Sequence, residues 1–204
     1  EATSLLQAWF QGHEAGNAIA DVIFGNYNPS GKLTMTFPRN VGQIPLYYNH
    51  KNTGRPQPEG PTQKFHSNYL DVSNDPLFPF GYGLSYTTFK YDGLTLSTAK
   101  MNPGKRIDVS FTLTNTGNYA GEEVVQLYLH DREASVTRPV KELKDFRKIS
   151  LQPGESKTVH FTIDRDKLSF FNSQLQWVAE PGMFDVMIGS SSADIRLKQA
   201  FELL

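Results

Sequence analysis

The hydrophobic positions of this chain change their spacing along its length, and the change divides it. Towards the C-terminus they alternate with polar ones. Ile107, Val109, Phe111 and Leu113 form one such set. Val125, Leu127 and Leu129 form a second, Val159, Phe161 and Ile163 a third, and Phe184, Val186 and Ile188 a fourth. Turn signals lie between them: Asn115-Thr116-Gly117, Pro153-Gly154-Glu155 and Pro181-Gly182. A period of two marks strands with one buried face, and about seven short strands at this spacing predict a β-sandwich over residues 86–204. The chain has no cysteine, so the inter-sheet disulfide of antibody domains is absent. A fibronectin type III-like sandwich fits better.

Residues 1–40 have a different texture. Ser4–Phe10 crowds apolar residues and suits a strand covered on both faces. Gly12–Gly16 then reads as a tight turn into a short helix that buries Ala18, Ile19, Val22 and Ile23. Gly25 is the expected helix stop. Asn28-Pro29-Ser30-Gly31 is a second turn, and Lys32–Phe37 alternates up to Pro38 as an edge strand would. Strand, helix and strand make one unit of an open α/β sheet. The rest of such a sheet is expected upstream, which makes this the tail of a larger protein.

Residues 41–85 are proline-rich, which precludes long helices and central strands. They also hold Tyr47, Tyr48, Phe65, Tyr69, Phe78, Phe80 and Tyr82, too many rings for a disordered linker. An ordered strap lying on other surfaces is expected. Its polar middle, Lys51–Lys64, is expected to be its most mobile piece. Phe78, Phe80 and Tyr82 are spaced by two, which predicts three rings on one side of an extended segment, filling an inter-domain seam.

Bulk composition mainly excludes. The 204 residues carry a formal charge of −1, with no basic cluster of the kind nucleic acid or anionic membranes attract. No apolar run approaches the roughly 18 residues of a membrane helix. The five histidines lack zinc-ligand spacing, so no metal site and no cofactor are expected. Glu122-Glu123 and His130-Asp131 read as solvated positions on or beside strands.

Several motifs, in order, resemble the C-terminal part of family-three glycoside hydrolases, and bacterial periplasmic β-glucosidases in particular. They are Leu6–Gly12 through Gly31-Lys32-Leu33, Leu77–Phe89, Thr114-Asn115-Thr116-Gly117 with Gly121 and Val124–Tyr128, Arg138–Lys144, and Glu180-Pro181-Gly182. Ala15 and Thr34 depart from the family's usual glycine and proline. The resemblance implies a barrel, an α/β sandwich and a fibronectin-like domain. It also implies an aspartate nucleophile on the barrel and a glutamate acid/base on an earlier loop. Both precede Glu1, so no catalytic residue is assigned here.

Under that resemblance, retaining hydrolysis of terminal β-D-glucosyl residues is the expected chemistry, with the sandwich bracing the catalytic domains. The implied partners are an oligosaccharide or β-glucoside and the upstream domains, in the periplasm. His13 and Glu14 follow a parallel strand at the edge where α/β sheets carry ligands, so they are candidates for sugar contact. Glu14 at a helix start also complements the macrodipole, and His13 also suits a solvated turn. Tyr69 and Asp71 are the other candidates, because sugar faces stack on rings and hydroxyls bond carboxylates. Their alternative role is to pin the strap; family members place a basic residue where this chain has Asn68. Rival readings are a non-catalytic module that binds polysaccharide through exposed coplanar rings, and a homodimerisation module with an exposed apolar face.

Overall fold

The computed structural model describes residues 3–58 and 63–204. Helix α1 spans Ala15–Ile23. Strands follow in chain order: β1 (Phe89–Leu96), β2 (Lys100–Met101), β3 (Ile107–Asn115), β4 (Gly121–Asp131), β5 (Glu142–Leu151) and β6 (Ser156–Ile163). After the short helix α2 (Arg165–Leu168) come β7 (Phe170–Phe171), β8 (Trp177–Val178), β9 (Gly182–Gly189) and β10 (Ile195–Leu203).

The strands make the expected sandwich. A three-stranded sheet, β1-β3-β6, faces a five-stranded sheet, β2-β10-β9-β4-β5. Neighbours pair antiparallel except β10 with β2. Register follows the alternation: Phe111 lies opposite Val159, and Leu127 opposite Ile188. All the alternating residues named above are buried, and with Phe201 and Leu203 they form one core. Burying each such side chain contributes roughly 1.5–3 kcal/mol, which makes this core the main source of stability. β7 and β8 form a separate two-stranded hairpin.

The N-terminal region departs from its sequence pattern. Residues 4–10 form no strand, and Leu5, Trp9 and Phe10 are exposed. A parallel strand needs neighbours for its backbone N–H and C=O groups, and none lies beside this segment among the described residues. α1 does form, and it ends as expected. Gly25 adopts φ +78 and its N–H donates to the Val22 carbonyl at 3.2 Å. Its apolar face is bare, however: Ile19 and Val22 are half-buried, Ala18 and Ile23 exposed. Lys32–Phe37 is not a regular strand either. A bend at 34–35 interrupts it. Its ends still pair, Leu33 with Tyr82 and Gly81, Phe37 with Leu77 and Phe78.

The strap is ordered by contacts at many points along it. Val41–Gln43 forms a 3-10 turn closed by a capping box with Asn40. The His50 carbonyl accepts from the Val140 N–H at 2.9 Å, and Lys51 bridges to Pro139. Pro56 bridges to Ser67. The mobility expected for 51–64 falls partly on residues 59–62, outside the described residues.

The three strap rings do not share one side. The Tyr82 N–H donates to the Pro79 carbonyl and Gly81 has φ +80, so the chain turns there instead of running straight. The turn stacks Tyr82 on Phe78, centroids 5.5 Å apart, and sends Phe80 the other way onto Tyr48 at 4.3 Å. One set of rings continues through Phe37 to Trp9, and the other reaches Tyr128 of β4. The strap is thus wedged between the N-terminal region and the sandwich.

Candidate functional site

The four sequence candidates fall in two places. Glu14 is the N-cap residue of α1, but its carboxylate caps nothing. It accepts instead from Asn17 Nδ2 at 2.6 Å. His13 is exposed beside it and makes no hydrogen bond or ion pair among the described residues. Neither lines the depression that holds the other two.

Tyr69 and Asp71 come together around that depression, with Asn68, Leu70 and Asn74 on its walls. Its accessible volume is about 650 Å³. Asn74 fixes the loop: its Oδ1 accepts from the Tyr69 N–H at 3.1 Å, and its Nδ2 donates to the Ser67 carbonyl at 2.9 Å. Tyr69 Oη donates to the Gln43 carbonyl at 3.4 Å, and Gln43 Nε2 donates to the Ser73 carbonyl at 2.8 Å. Tyr69 therefore has one pinned end and one exposed face. Asp71 is exposed and has no partner among the described residues. A rigid loop presenting a ring face and an unpaired carboxylate can take a hydroxyl-rich ligand. Asn68 spends its amide on the Tyr69 carbonyl at 2.9 Å.

A polar seam that sequence reasoning missed joins the strap's turn at Gly81 to β4 and to the turn after β9. Gln126 of β4 is buried. Its Nε2 donates to the Gly81 carbonyl at 3.1 Å and to the Ser190 carbonyl at 2.7 Å, while its Oε1 accepts from Tyr128 Oη. All of its amide groups' main valences are used, as burial demands. Gly81 suits this place on two counts: a Cβ there would displace the Gln126 amide, and its φ of +80 strains any side chain. Burial holds the Tyr128 hydroxyl well above the ordinary tyrosine range.

A second node joins the turn after α1 to the same strand. Lys32 Nζ lies 3.3 Å from Glu123 Oε2 with both side chains nearly buried, and it also donates to the Gly83 carbonyl at 2.9 Å. Glu123 Oε1 accepts from Tyr91 Oη at 2.8 Å. Burial and that carboxylate push the Tyr91 hydroxyl far up. Nearby, Ser30 Oγ donates to Glu122 Oε2 at 3.1 Å, and Lys148 pairs with Glu122 at 2.7 Å. Lys148 keeps the Glu122 carboxyl below its ordinary range. Asn28 completes the join, its Nδ2 donating to the Ala120 carbonyl and its Oδ1 accepting from Ser85 Oγ and the Tyr86 N–H.

Glu123 and Asp131 are therefore not solvated positions. Both are buried. They continue the inward phase of Val125, Leu127 and Leu129, two residues before and after it, and that continuation is the sequence signal that locates them. Asp131 Oδ2 lies 3.8 Å from Arg138 Nε, too far for a hydrogen bond, and burial pushes its carboxyl up to about 6. Its neighbour His130 is half-buried beside Asp185, at 3.3 Å. Among the described residues no group of His, Asp or Glu is arranged to hold a metal ion.

Comparison with known proteins covers the chain from end to end. Residues 1–86 match the glycosyl hydrolase family 3 C-terminal domain and residues 123–192 a fibronectin type III-like domain. A periplasmic beta-glucosidase of Salmonella typhimurium is 56% identical over the whole chain. A beta-xylosidase of Formosa agariphila is 47% identical over 96% of it. The chain spans 26% of the length of each. The crystal structure of a beta-glucosidase from Listeria innocua in complex with glucose superposes with a TM-score of 0.91 at 47% identity, over 96% of this chain and 27% of that one.

Proposed function

The chain belongs to glycoside hydrolase family 3, and on that premise we propose that it is the C-terminal part of a retaining, exo-acting β-glucosidase that removes terminal β-D-glucosyl residues. The observation that carries this reading is the unbroken likeness to beta-glucosidases over the whole chain. The division is residues 1–40 as the end of an α/β sandwich domain, 41–85 as the strap and 86–204 as the fibronectin-like domain. The bare apolar residues of 4–10 and α1 are explained if upstream strands cover them. By likeness to the Salmonella protein the enzyme is periplasmic; no helix among the described residues is long and apolar enough to cross a membrane.

Retaining hydrolysis needs two carboxyl groups about 5 Å apart, one to attack the anomeric carbon and one to protonate the leaving oxygen and then activate water. Those groups belong to the upstream domains. This segment supplies binding and position. Tyr69 offers a ring face and Asp71 accepts from sugar hydroxyls, while His13 and Glu14, outside that depression, are the further sugar contacts of this reading. The sandwich braces the assembly, since Gln126, Glu123 and Glu122 tie it to the strap and to the turn after α1.

The test is hydrolysis by the polypeptide carrying this segment together with the barrel and α/β sequences. Aryl β-D-glucosides are expected to turn over with β-glucose as the first-formed product by NMR, and the 204-residue segment alone to be inert. Inversion, or turnover by the segment alone, overturns the reading. The likeness to the Formosa beta-xylosidase favours a second reading, a β-xylosidase, which a higher kcat/KM on aryl β-D-xylosides would establish.

A further inference from the structure

The hairpin β7–β8 carries an exposed aromatic pair that neither the seam nor the proposed hydrolysis uses. Phe171 and Trp177 are cross-strand partners on one face. Their ring centroids lie 4.9 Å apart with planes inclined by 56°, and they are 62% and 47% exposed. Leu175, 80% exposed, stands at the tip. The opposite face is anchored: Phe170 is buried under the Arg138 guanidinium, 4.3 Å from its ring centroid.

The hairpin is rigid. Asn172 Oδ1 accepts from the backbone N–H groups of Gln174 and Gln176, both at 3.0 Å. The Leu175 N–H donates to the Asn172 carbonyl at 3.0 Å, and the Asn172 N–H to the Gln176 carbonyl at 3.1 Å. The rings thus meet a ligand without first being ordered, which spares the entropy that flexible loops lose on binding.

The chemistry of the face selects its ligand. Ser169–Val178 contains no ionisable side chain, in a chain that is 20% Asp, Glu, Lys and Arg. The rim is amide and hydroxyl: Asn172, Ser173, Gln174 and Gln176. The segment itself offers no cation to phosphate polymers or anionic surfaces, and Arg138 lies on its opposite face, over Phe170. A neutral polyol presents C–H faces for rings and hydroxyls for amides, which complements an uncharged aromatic face. Planes inclined by 56° form a V rather than a flat platform. The rings touch, so a single chain can lie only across their outer faces, whereas a crystalline sheet needs coplanar rings.

We propose that the Phe171–Trp177 face is a binding site for soluble β-glucan chains, holding polymeric substrate near the enzyme without acting on it. The choice of β-glucan rests on the β-glucosidase reading, but binding by the 204-residue chain is measured without turnover, so its failure is distinguishable from failure of that reading.

The experiment is native gel electrophoresis of this chain in gels containing laminarin or barley β-glucan, with titration of tryptophan fluorescence in solution. Retardation is expected, and Trp177→Ala and Phe171→Ala should each weaken binding at least tenfold. Trp177→Tyr should restore most of it, and Phe146→Ala, at an exposed ring elsewhere, should leave it unchanged. Melting curves identify any variant that fails to fold, and Trp177→Tyr then carries the comparison. Migration unaffected by glucan overturns the proposal, as does retardation that survives Trp177→Ala. A concentration-dependent dimer that Trp177→Ala dissociates would also overturn it, assigning the face to a second copy.

Discussion

Gln126 and Gly81 lie 45 positions apart in sequence, yet each fixes what the other can be. The glutamine amide donates to the glycine carbonyl at 3.1 Å, and the space a Cβ would need at residue 81 is filled by that amide. Replacing Gln126 with Leu keeps the volume but leaves the Gly81 and Ser190 carbonyls and the Tyr128 hydroxyl without their partner. A buried polar group left unmade costs about 1–3 kcal/mol, so a loss of roughly 3 kcal/mol is expected in urea unfolding. Gly81→Ala should lose at least as much, because φ +80 and the collision act together. Unchanged midpoints for both variants would remove Gln126 from the seam.

The Lys32–Glu123 pair should be strongly non-additive. Removing one member leaves a buried charge unpaired, which costs about 3–5 kcal/mol, whereas removing both is often nearly neutral. Lys32→Met and Glu123→Leu are each expected to destabilise severely. The double variant should be more stable than either. The Tyr91 hydroxyl, which loses its acceptor in Glu123→Leu, limits that recovery, so Tyr91→Phe in the same background should improve it. Additive losses across the cycle would show that the two side chains do not interact.

The pH dependence of stability isolates Asp131. Its carboxyl is raised in the folded state to about 6 from an ordinary 3.8, chiefly by burial. The folded protein therefore holds this proton more tightly than the unfolded chain does. The associated stability is fully present below about pH 4 and is lost as pH rises through about 6. The displacement corresponds to at most about 3 kcal/mol. Asp131→Asn cannot ionise and escapes that loss. Its melting temperature should exceed that of the parent at pH 7.5, and the gap should close towards pH 4. A gap that widens in acid would mean that the pairing with Arg138 outweighs burial.

How much of this was legible in the sequence depends on whether local spacing or distant partners decided the outcome. The sandwich was legible because Ile107–Leu113 and its counterparts alternate strictly, and a period of two leaves one burial pattern. Glu123 and Asp131 obeyed the same phase, but their charge argued for solvent; the partners that offset burial of Glu123, Lys32 and Tyr91, are distant in sequence, and Asp131 has only the 3.8 Å approach of Arg138, so its carboxyl is pushed up instead. The strand expected at residues 4–10 failed for the converse reason, since apolar residues cannot make a ladder without neighbours. The strap rings failed locally: spacing by two places rings on one side only while the backbone stays extended, and Gly81 turns it. Tyr69 and Asp71 were legible as candidates from residue type. Their convergence on one depression depends on Asn74 and Gln43, whose roles carry no sequence signature.

Under the proposed β-glucosidase reading, the split geometry of the strap should separate stability from substrate affinity in the longer polypeptide. Phe80 stacks on Tyr48 against the sandwich, whereas Tyr69 and Asp71 open on the depression. Truncating a fully buried phenylalanine costs roughly 3–5 kcal/mol. Phe80 is half-buried, so Phe80→Ala should cost less, about 2 kcal/mol, and leave the KM of the folded enzyme near normal. Tyr69→Ala and Asp71→Asn should do the reverse, raising KM for a β-glucoside severalfold while the melting temperature moves little. Differential scanning fluorimetry alongside steady-state kinetics on the three variants distinguishes the two effects. If Phe80→Ala raised KM with the melting temperature unchanged, the strap would line the pocket at Phe80. If Tyr69→Ala and Asp71→Asn left KM unmoved, Tyr69 would serve only to pin the loop and Asp71 would be a solvated position.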